Sequence, residues 1–337
     1  MHVDLSTIWF CLIVVLWLGY LFLEGFDFGV GILLGLLARD NTERRVMVNT
    51  IGPVWDGNEV WVLVAVGATF AAFPPWYATM LSTAYLPVLL ILLALIGRGV
   101  AFEYRGKVDS ARWRRRWDVV IQLGSWIPPL GWGLVLTAMA TGLPLTKDGA
   151  LSGGPLALFT PLALLGALAV AGFSILHGSV FLALKTEGEI RQRAGGFALR
   201  IGPLCLVPIA VLLVLLQVRQ GSAWTLVLAA VALLAGVLAL VRLRAGREGQ
   251  SFALLGVLLV GVVVVLFGSA FPAVIPSTLD PAYSLTVANS ASSPYTLGVM
   301  TWVAAFGTPA VLLYQSWTYW VFRRRIGTKH IPEVHVP

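Results

Sequence analysis

The sequence predicts an all-α fold, a polytopic transmembrane helix bundle of about nine spans. Three observations predict it. Long apolar runs recur along the whole chain, each near the roughly 20 residues that a helix needs to cross a bilayer. Charged residues make up 12% of the 337 and apolar or aromatic ones 58%, with a mean hydropathy of +0.87, whereas a soluble domain is about one quarter charged. The basic residues cluster at every second gap between the apolar runs. This composition excludes a soluble enzyme, a disordered chain and a disulfide-stapled one. The two cysteines, Cys11 and Cys205, lie inside apolar runs and read as small core residues.

Taken in order, the runs cover 7–38, 51–72, 77–97, 117–142, 155–184, 201–218, 222–241, 250–272 and 295–322. The first is longer than a bilayer requires, so it tilts or protrudes. It has no basic segment before it and no cleavage site, and reads as a retained helix. Arg39, Arg44 and Arg45 follow the first span, the run from Arg98 to Arg116 follows the third, and Lys185, Arg191, Arg193 and Arg200 follow the fifth. Arg242, Arg244 and Arg247 follow the seventh, and Arg323, Arg324, Arg325 and Lys329 the ninth. In all, 21 of the 23 Lys and Arg fall on one side, against Lys147 and Arg219 on the other. The positive-inside rule then puts the amino terminus outside and the carboxyl terminus in the cytoplasm. Loops facing anionic membrane lipids account for the pI of 9.7, and no nucleic acid is called for. The segment between Pro272 and Pro294 lacks Lys and Arg and reads as an ordered cap outside the membrane, with Ser292 or Ser293 capping a helix that starts at Pro294.

The chain reads as one integral-membrane domain over 1–330, with 323–337 as a cytoplasmic tail. Within it lies a weak echo. Gly25-Phe26, a charged loop and Ile51-Gly52-Pro53 are matched by Gly172-Phe173, a charged loop and Ile201-Gly202-Pro203. The echo suggests two parallel four-helix units, 1–142 and 155–272, plus an extra ninth span over 295–322.

Four acids sit inside proposed spans, clear of the span edges: Glu24, Asp27, Asp56 and Glu59. An ionised side chain at mid-bilayer costs at least about 2.5–3.5 kcal/mol, so such groups face protein or water and are functional candidates. Glu24, Asp27, Gly31 and Gly35 fall on one helical stripe with small residues that let a neighbouring helix approach closely. Asp56 and Glu59 form a second i, i+3 pair near the basic end of span 2, placed to line an inlet for protons. The plainer alternative is structural, with Arg98, Glu103 and Arg105 at the end of span 3 as ion-pair candidates. His177 is the single histidine within a span and reads as a hydrogen-bonded core group. Two axial ligands are the usual need of a b-type haem, and Met139 or Met300 would have to supply the second. No Cys/His cluster has metal-ligand spacing, so no metal site is expected. Taken without further context, intramembrane acids and glycine-interrupted helices point to an ion-coupled secondary transporter.

Longer motifs point elsewhere. Gly25-Phe26-Asp27-Phe28-Gly29-Val30-Gly31, Glu43-Arg44-Arg45, Gly52-Pro53-Val54-Trp55-Asp56-Gly57-Asn58-Glu59-Val60-Trp61 and Phe70-Ala71-Ala72-Phe73-Pro74 resemble subunit II of the cytochrome bd quinol oxidases. The likeness continues in Val100-Ala101-Phe102-Glu103-Tyr104-Arg105, in Ser292-Ser293-Pro294-Tyr295-Thr296-Leu297, in Met300-Thr301-Trp302-Val303 and in Tyr314-Gln315-Ser316-Trp317-Thr318-Tyr319-Trp320. From about 145 to 290 it is mainly one of hydropathy. The resemblance implies a nine-helix, haem-free subunit of a heterodimer that oxidises quinol and reduces dioxygen to water in the respiratory chain. It implies two b-type haems and one d-type haem ligated by subunit I, a quinone such as menaquinone bound in some members, and in some a small single-span accessory subunit. It places a proton-path acid at Asp56 and the mouth of an oxygen channel near Trp61, while Glu59, Glu24 and Asp27 are further proton-path candidates by their place inside the spans.

Overall fold

The computed structural model describes residues 4–331. The last residues of the predicted tail, 332–337, lie outside the described residues. The described residues form twelve α-helices. Eight are long and apolar enough to cross a membrane: α1 (Leu5–Leu37), α5 (Tyr85–Tyr104), α6 (Ala111–Thr141), α7 (Pro161–Lys185), α8 (Gly188–Gln220), α9 (Ala223–Arg244), α10 (Glu248–Ala270) and α12 (Pro294–Val321). Helix α3 (Trp55–Ala72) runs beside α1 and has 18 residues, about 27 Å at 1.5 Å per residue. Its first five residues include Asp56, Asn58 and Glu59, which dilute its apolar character. Counting α3 gives the nine spans predicted.

Several boundaries differ from the sequence reading, with α6 beginning at Ala111 rather than 117 and α7 at Pro161 rather than 155. The third run is divided into α4 (Pro74–Thr83) and α5, with Ala84 at φ −102°, ψ 24° breaking the helix, so α5 extends to Tyr104 and takes Arg98 into its interior. The basic cluster after span 3 therefore begins beyond Arg98. Helix α8 begins 13 residues before the apolar run, because its first turns are a polar, basic segment lying at the membrane edge. In the first half of the chain the matching segment is a separate amphipathic helix, α2 (Asn41–Ile51), capped by Asp40, whose side chain accepts from the Glu43 amide at 2.8 Å.

Helix α1 is the axis of the bundle and packs against α3, α6, α7, α10 and α12. Its closest crossing is with α7. A Cβ on Gly29 would collide with the Ser174 carbonyl, and one on Gly178 with the Gly29 backbone, so only glycine at both positions lets the two backbones touch. Helices α5 with α6, α7 with α8, and α9 with α10 form adjacent pairs, as short connections require. Helix α12 contributes only Leu297 to the buried core and packs on α3 and α1.

At the end opposite the basic clusters, β1 (Ala273–Ile275) and β2 (Leu285–Thr286) pair antiparallel, and α11 (Val287–Ser290) follows. Ser292 ties this cap to α3 by donating its amide to Ala72 and its hydroxyl to Ala71. Ser293 caps α12 as predicted, accepting from the Thr296 amide at 3.2 Å with Pro294 in the first turn. Of the cysteines, Cys205 is buried, whereas Cys11 is on the outer face of α1 and is no core residue.

Candidate functional site

The stripe on α1 positions Glu24 and Asp27, both with 0% exposure, toward α3 and α5. Arg98 on α5, also 0% exposed, donates through Nη1 to Glu24 Oε2 at 2.8 Å and lies 3.6 Å from Glu59 Oε2. Its guanidinium is flanked by the rings of Phe28 and Phe102, at 4.8 and 5.2 Å. Planar cations stack well on aromatic faces, so the pair of rings fixes the fork on the carboxylates. One arginine thus serves two acids from two helices and joins α1, α3 and α5. Two of the four acids predicted in the membrane, Glu24 and Glu59, meet at Arg98, and the third, Asp27, lies one turn from Glu24 on α1. Asp56, the fourth, is exposed in the first turn of α3, one turn from Glu59 toward the basic end.

Asp27 has a different partner. Asn58 Nδ2 donates to Asp27 Oδ2 at 2.7 Å, while Asn58 Oδ1 accepts from the Tyr319 hydroxyl at 2.7 Å. The buried amide therefore connects α1, α3 and α12. Gln315 holds the neighbouring Trp61, whose indole N–H donates to Gln315 Oε1 at 2.9 Å. The Trp61 ring lies over Gly19 of α1, where a Cβ would collide with it. Sequence reading passed over Asn58, Gln315 and Tyr319, although all three lie inside the motifs quoted for the resemblance. A neutral polar residue in an apolar run carries a weaker signal than a charge.

The ion-pair candidates divide. Arg98 pairs as just described. Arg105 is buried and donates to Asp118 at 2.5 Å and to Asn41 at 2.9 Å, joining α5, α6 and α2 rather than meeting the α1 acids. Glu103 is exposed and makes no ion pair among the described residues, so its structural role is not supported. Asp118, buried near the start of α6, is the partner that the sequence reading missed. Further out, Glu43 accepts from the Arg39 amide and from Arg193, and Arg39 pairs with Glu189 at 3.0 Å.

His177 is completely buried, and both ring nitrogens are without hydrogen-bond partners. The rings of Phe22, Phe26, Phe173 and Phe252 surround it with centroids 4.4 to 5.7 Å away. Fully buried and enclosed by four phenylalanine rings, this chain's own histidine does not fit axial ligation of a haem. The expected hydrogen-bonded core histidine is instead held by aromatic packing.

A many-spanning bundle with charged and amide side chains threaded through its apolar interior defines a multi-pass integral-membrane protein. The chain belongs to the cytochrome bd terminal oxidase subunit II family, whose model matches residues 5–322. It is 42% identical over 332 residues to the cytochrome bd ubiquinol oxidase subunit 2 of Bacillus subtilis, covering 97% of this chain and 98% of that one. It is 34% identical over 365 residues to the cytochrome bd-I ubiquinol oxidase subunit 2 of Escherichia coli, covering 97% and 96%. A chain of the bd oxidase structure from Geobacillus thermodenitrificans shares the fold, with a TM-score of 0.77 at 19% identity over 94% of this chain and 97% of that one. Membership in this family means a multi-pass membrane protein that acts with a partner subunit in a haem-containing complex. It does not favour the ion-coupled transporter.

Proposed function

We infer that this chain is the non-haem-ligating second subunit of a quinol:dioxygen oxidoreductase, in which quinol is oxidised and dioxygen reduced to water. The observation that carries the reading is family membership over residues 5–322, together with a histidine that does not fit a haem. The two b-type haems and the d-type haem then belong to subunit I and supply the redox chemistry there. Quinol or menaquinone, membrane lipids and a single-span accessory subunit complete the proposed set of partners.

The chain's own part is access. Asp56, exposed near the basic end, takes up protons and passes them toward Glu59, with Glu24 and Asp27 further in. Trp61, seated on Gly19 and tied to Gln315, stands at the lateral mouth by which dioxygen enters from lipid. Arg98 holds Glu24 and Glu59 in place as a positioning residue. The basic end faces the cytoplasm, as the Lys and Arg bias requires. A fluorescent protein fused after the last residue is therefore expected to fold and fluoresce, and a dark fusion would reverse the orientation. The 1–142 and 155–272 units remain proposed as a duplication. Its support is the shared order of an axial helix, an amphipathic basic segment and an adjacent helix pair.

The test is to purify the tagged chain in mild detergent and record the reduced-minus-oxidised spectrum. A second large subunit with b- and d-haem bands is expected, and a stable, haem-free polypeptide would overturn the reading. Asp56→Asn is expected to leave the haem bands intact and slow turnover; unchanged turnover would remove Asp56 from the path.

A further inference from the structure

At the basic end, the last turns of α7 and α9, the first turns of α8 and the first residue of α10 bound a cleft of about 310 Å³. That volume falls within the roughly 300–1,000 Å³ of ordinary ligand sites. Gly188 and Gly195 of α8 leave part of its wall bare. A Cβ on Gly188 would meet nothing within 4 Å, and one on Gly195 only the Ala183 Cβ at 4.0 Å. Another part of the wall is charged. Arg191 donates through Nε and Nη2 to Glu248 Oε1 at 2.8 and 2.6 Å. Its Nη1 and the neighbouring Gln192 amide make no hydrogen bond among the described residues.

The charges at this corner do not balance. Glu248 serves Arg191 and, at 3.6 Å from its Oε2, Arg325 as well. The acids at the start of α8 are committed elsewhere, Glu187 to Lys329 at 2.8 Å and Glu189 to Arg39 at 3.0 Å. Leu243 and Glu248 both line the cleft, so the turn joining α9 to α10 forms its rim. On that turn Arg242, Arg244 and Arg247 are exposed and make no ion pair among the described residues. Five arginines thus gather about one carboxylate. Water alone can hold an exposed arginine, but it gives no reason for a preformed cleft beside a surplus of positive charge. The cleft lies where four spans end, at the depth of the lipid headgroups, and basic pockets between transmembrane helices at the cytoplasmic side suit phosphate-bearing headgroups.

We propose that this cleft binds the phosphodiester headgroup of an anionic phospholipid. Arg191 Nη1 and the Gln192 amide supply donors within it, and the arginines of the α9–α10 turn supply the surrounding charge. Guanidinium N–H groups match phosphate oxygens in geometry and form charge-assisted hydrogen bonds with them. Glu248 is a positioning residue: it holds the Arg191 guanidinium by Nε and Nη2 and leaves Nη1 for the ligand. The bare glycine wall leaves room for the glycerol part of the headgroup. A headgroup with net negative charge is preferred to a zwitterionic one, because the surplus of arginine is what it neutralises.

The test uses the chain purified with its partner subunit, stripped of lipid in detergent and followed by native mass spectrometry. The probes are dioleoyl phosphatidylglycerol, dioleoyl phosphatidylethanolamine and inorganic phosphate. The unmodified complex is expected to hold one tightly bound phosphatidylglycerol more than Gly195→Leu, which fills the cleft from an open position and improves the helix propensity of α8. Arg242→Gln and Arg247→Gln are each expected to weaken that binding about fivefold. Equal retention by the unmodified complex and Gly195→Leu would overturn the proposal, as would phosphatidylethanolamine bound as tightly as phosphatidylglycerol. Displacement of the lipid by inorganic phosphate would assign the cleft to a soluble phosphate and overturn the lipid. Should Gly195→Leu fail to assemble, the two arginine variants decide alone, since both leave the Arg191–Glu248 pair intact; unchanged affinity in both would refute the site.

Discussion

Arg98 carries more of the structure than any other charged residue in the bundle, because removing it strands two carboxylates in an apolar interior. Breaking one side of a buried ion pair costs about 3–5 kcal/mol, far more than the pair contributes over a well-packed apolar substitute. Arg98→Leu is therefore expected to lower the thermal midpoint of the purified complex sharply. Glu24→Gln/Arg98→Leu should recover part of the loss, and a double variant as unstable as the single would show that the charge on Glu24 is immaterial. The acids of this cluster were legible in the sequence, since a carboxylate in an apolar run has no inexpensive explanation. Its other members were not. Arg98 was assigned to a loop because the apolar run ends at Gly97, and nothing in a hydropathy pattern shows that the helix continues seven residues further, to Tyr104. Asn58 escaped because an amide becomes informative only when its two partners, Asp27 and Tyr319, are seen on separate helices.

At the scale of the element, the crossing of α1 and α7 sets the spacing of the bundle. Gly29→Ala is expected to force the helices apart and to reduce the yield of assembled complex, whereas Gly196→Ala, with nothing within 4 Å of its Cβ position, should fold normally. Equal yields would mean that the contact is dispensable. The spans themselves were readable from apolar length alone, including α3, whose acids lower its hydropathy without shortening its helix. What hydropathy does not encode is where a helix continues into polar surroundings. The early start of α8 and the division between α2 and α3 depend on packing at the membrane edge, where apolar content is low in helix and loop alike. The small-residue stripe on α1 was visible as a pattern, but its partner helix was not.

Across the whole molecule, the segment after α12 closes the basic end. Ile326 donates its amide to Lys185 and accepts from the Glu187 amide, Lys185 reaches the carbonyls of Phe322 and Arg324, and Lys329 pairs with Glu187 at 2.8 Å. That hydrogen-bonded ammonium group holds the Glu187 carboxyl below the ordinary carboxylate range. A depressed acid contributes stability above its unfolded value and loses it as pH falls through the folded one. Acidification below the ordinary carboxylate range is thus expected to lower the exchange protection of the Glu187 and Ile326 amides, and Glu187→Gln should remove that pH dependence; protection that ignores pH would show that the backbone bonds suffice. This closure also bears on the order of manufacture. Lys185 and Phe322 are 137 residues apart, a delay of roughly ten seconds at typical rates of synthesis. The junction between α7 and α8 leaves the ribosome long before its clasp exists. Helix α12, nearly bare along its length, cannot be secured at that end until residues 322–329 emerge, so the growing chain keeps one side open until the segment after α12 has been made.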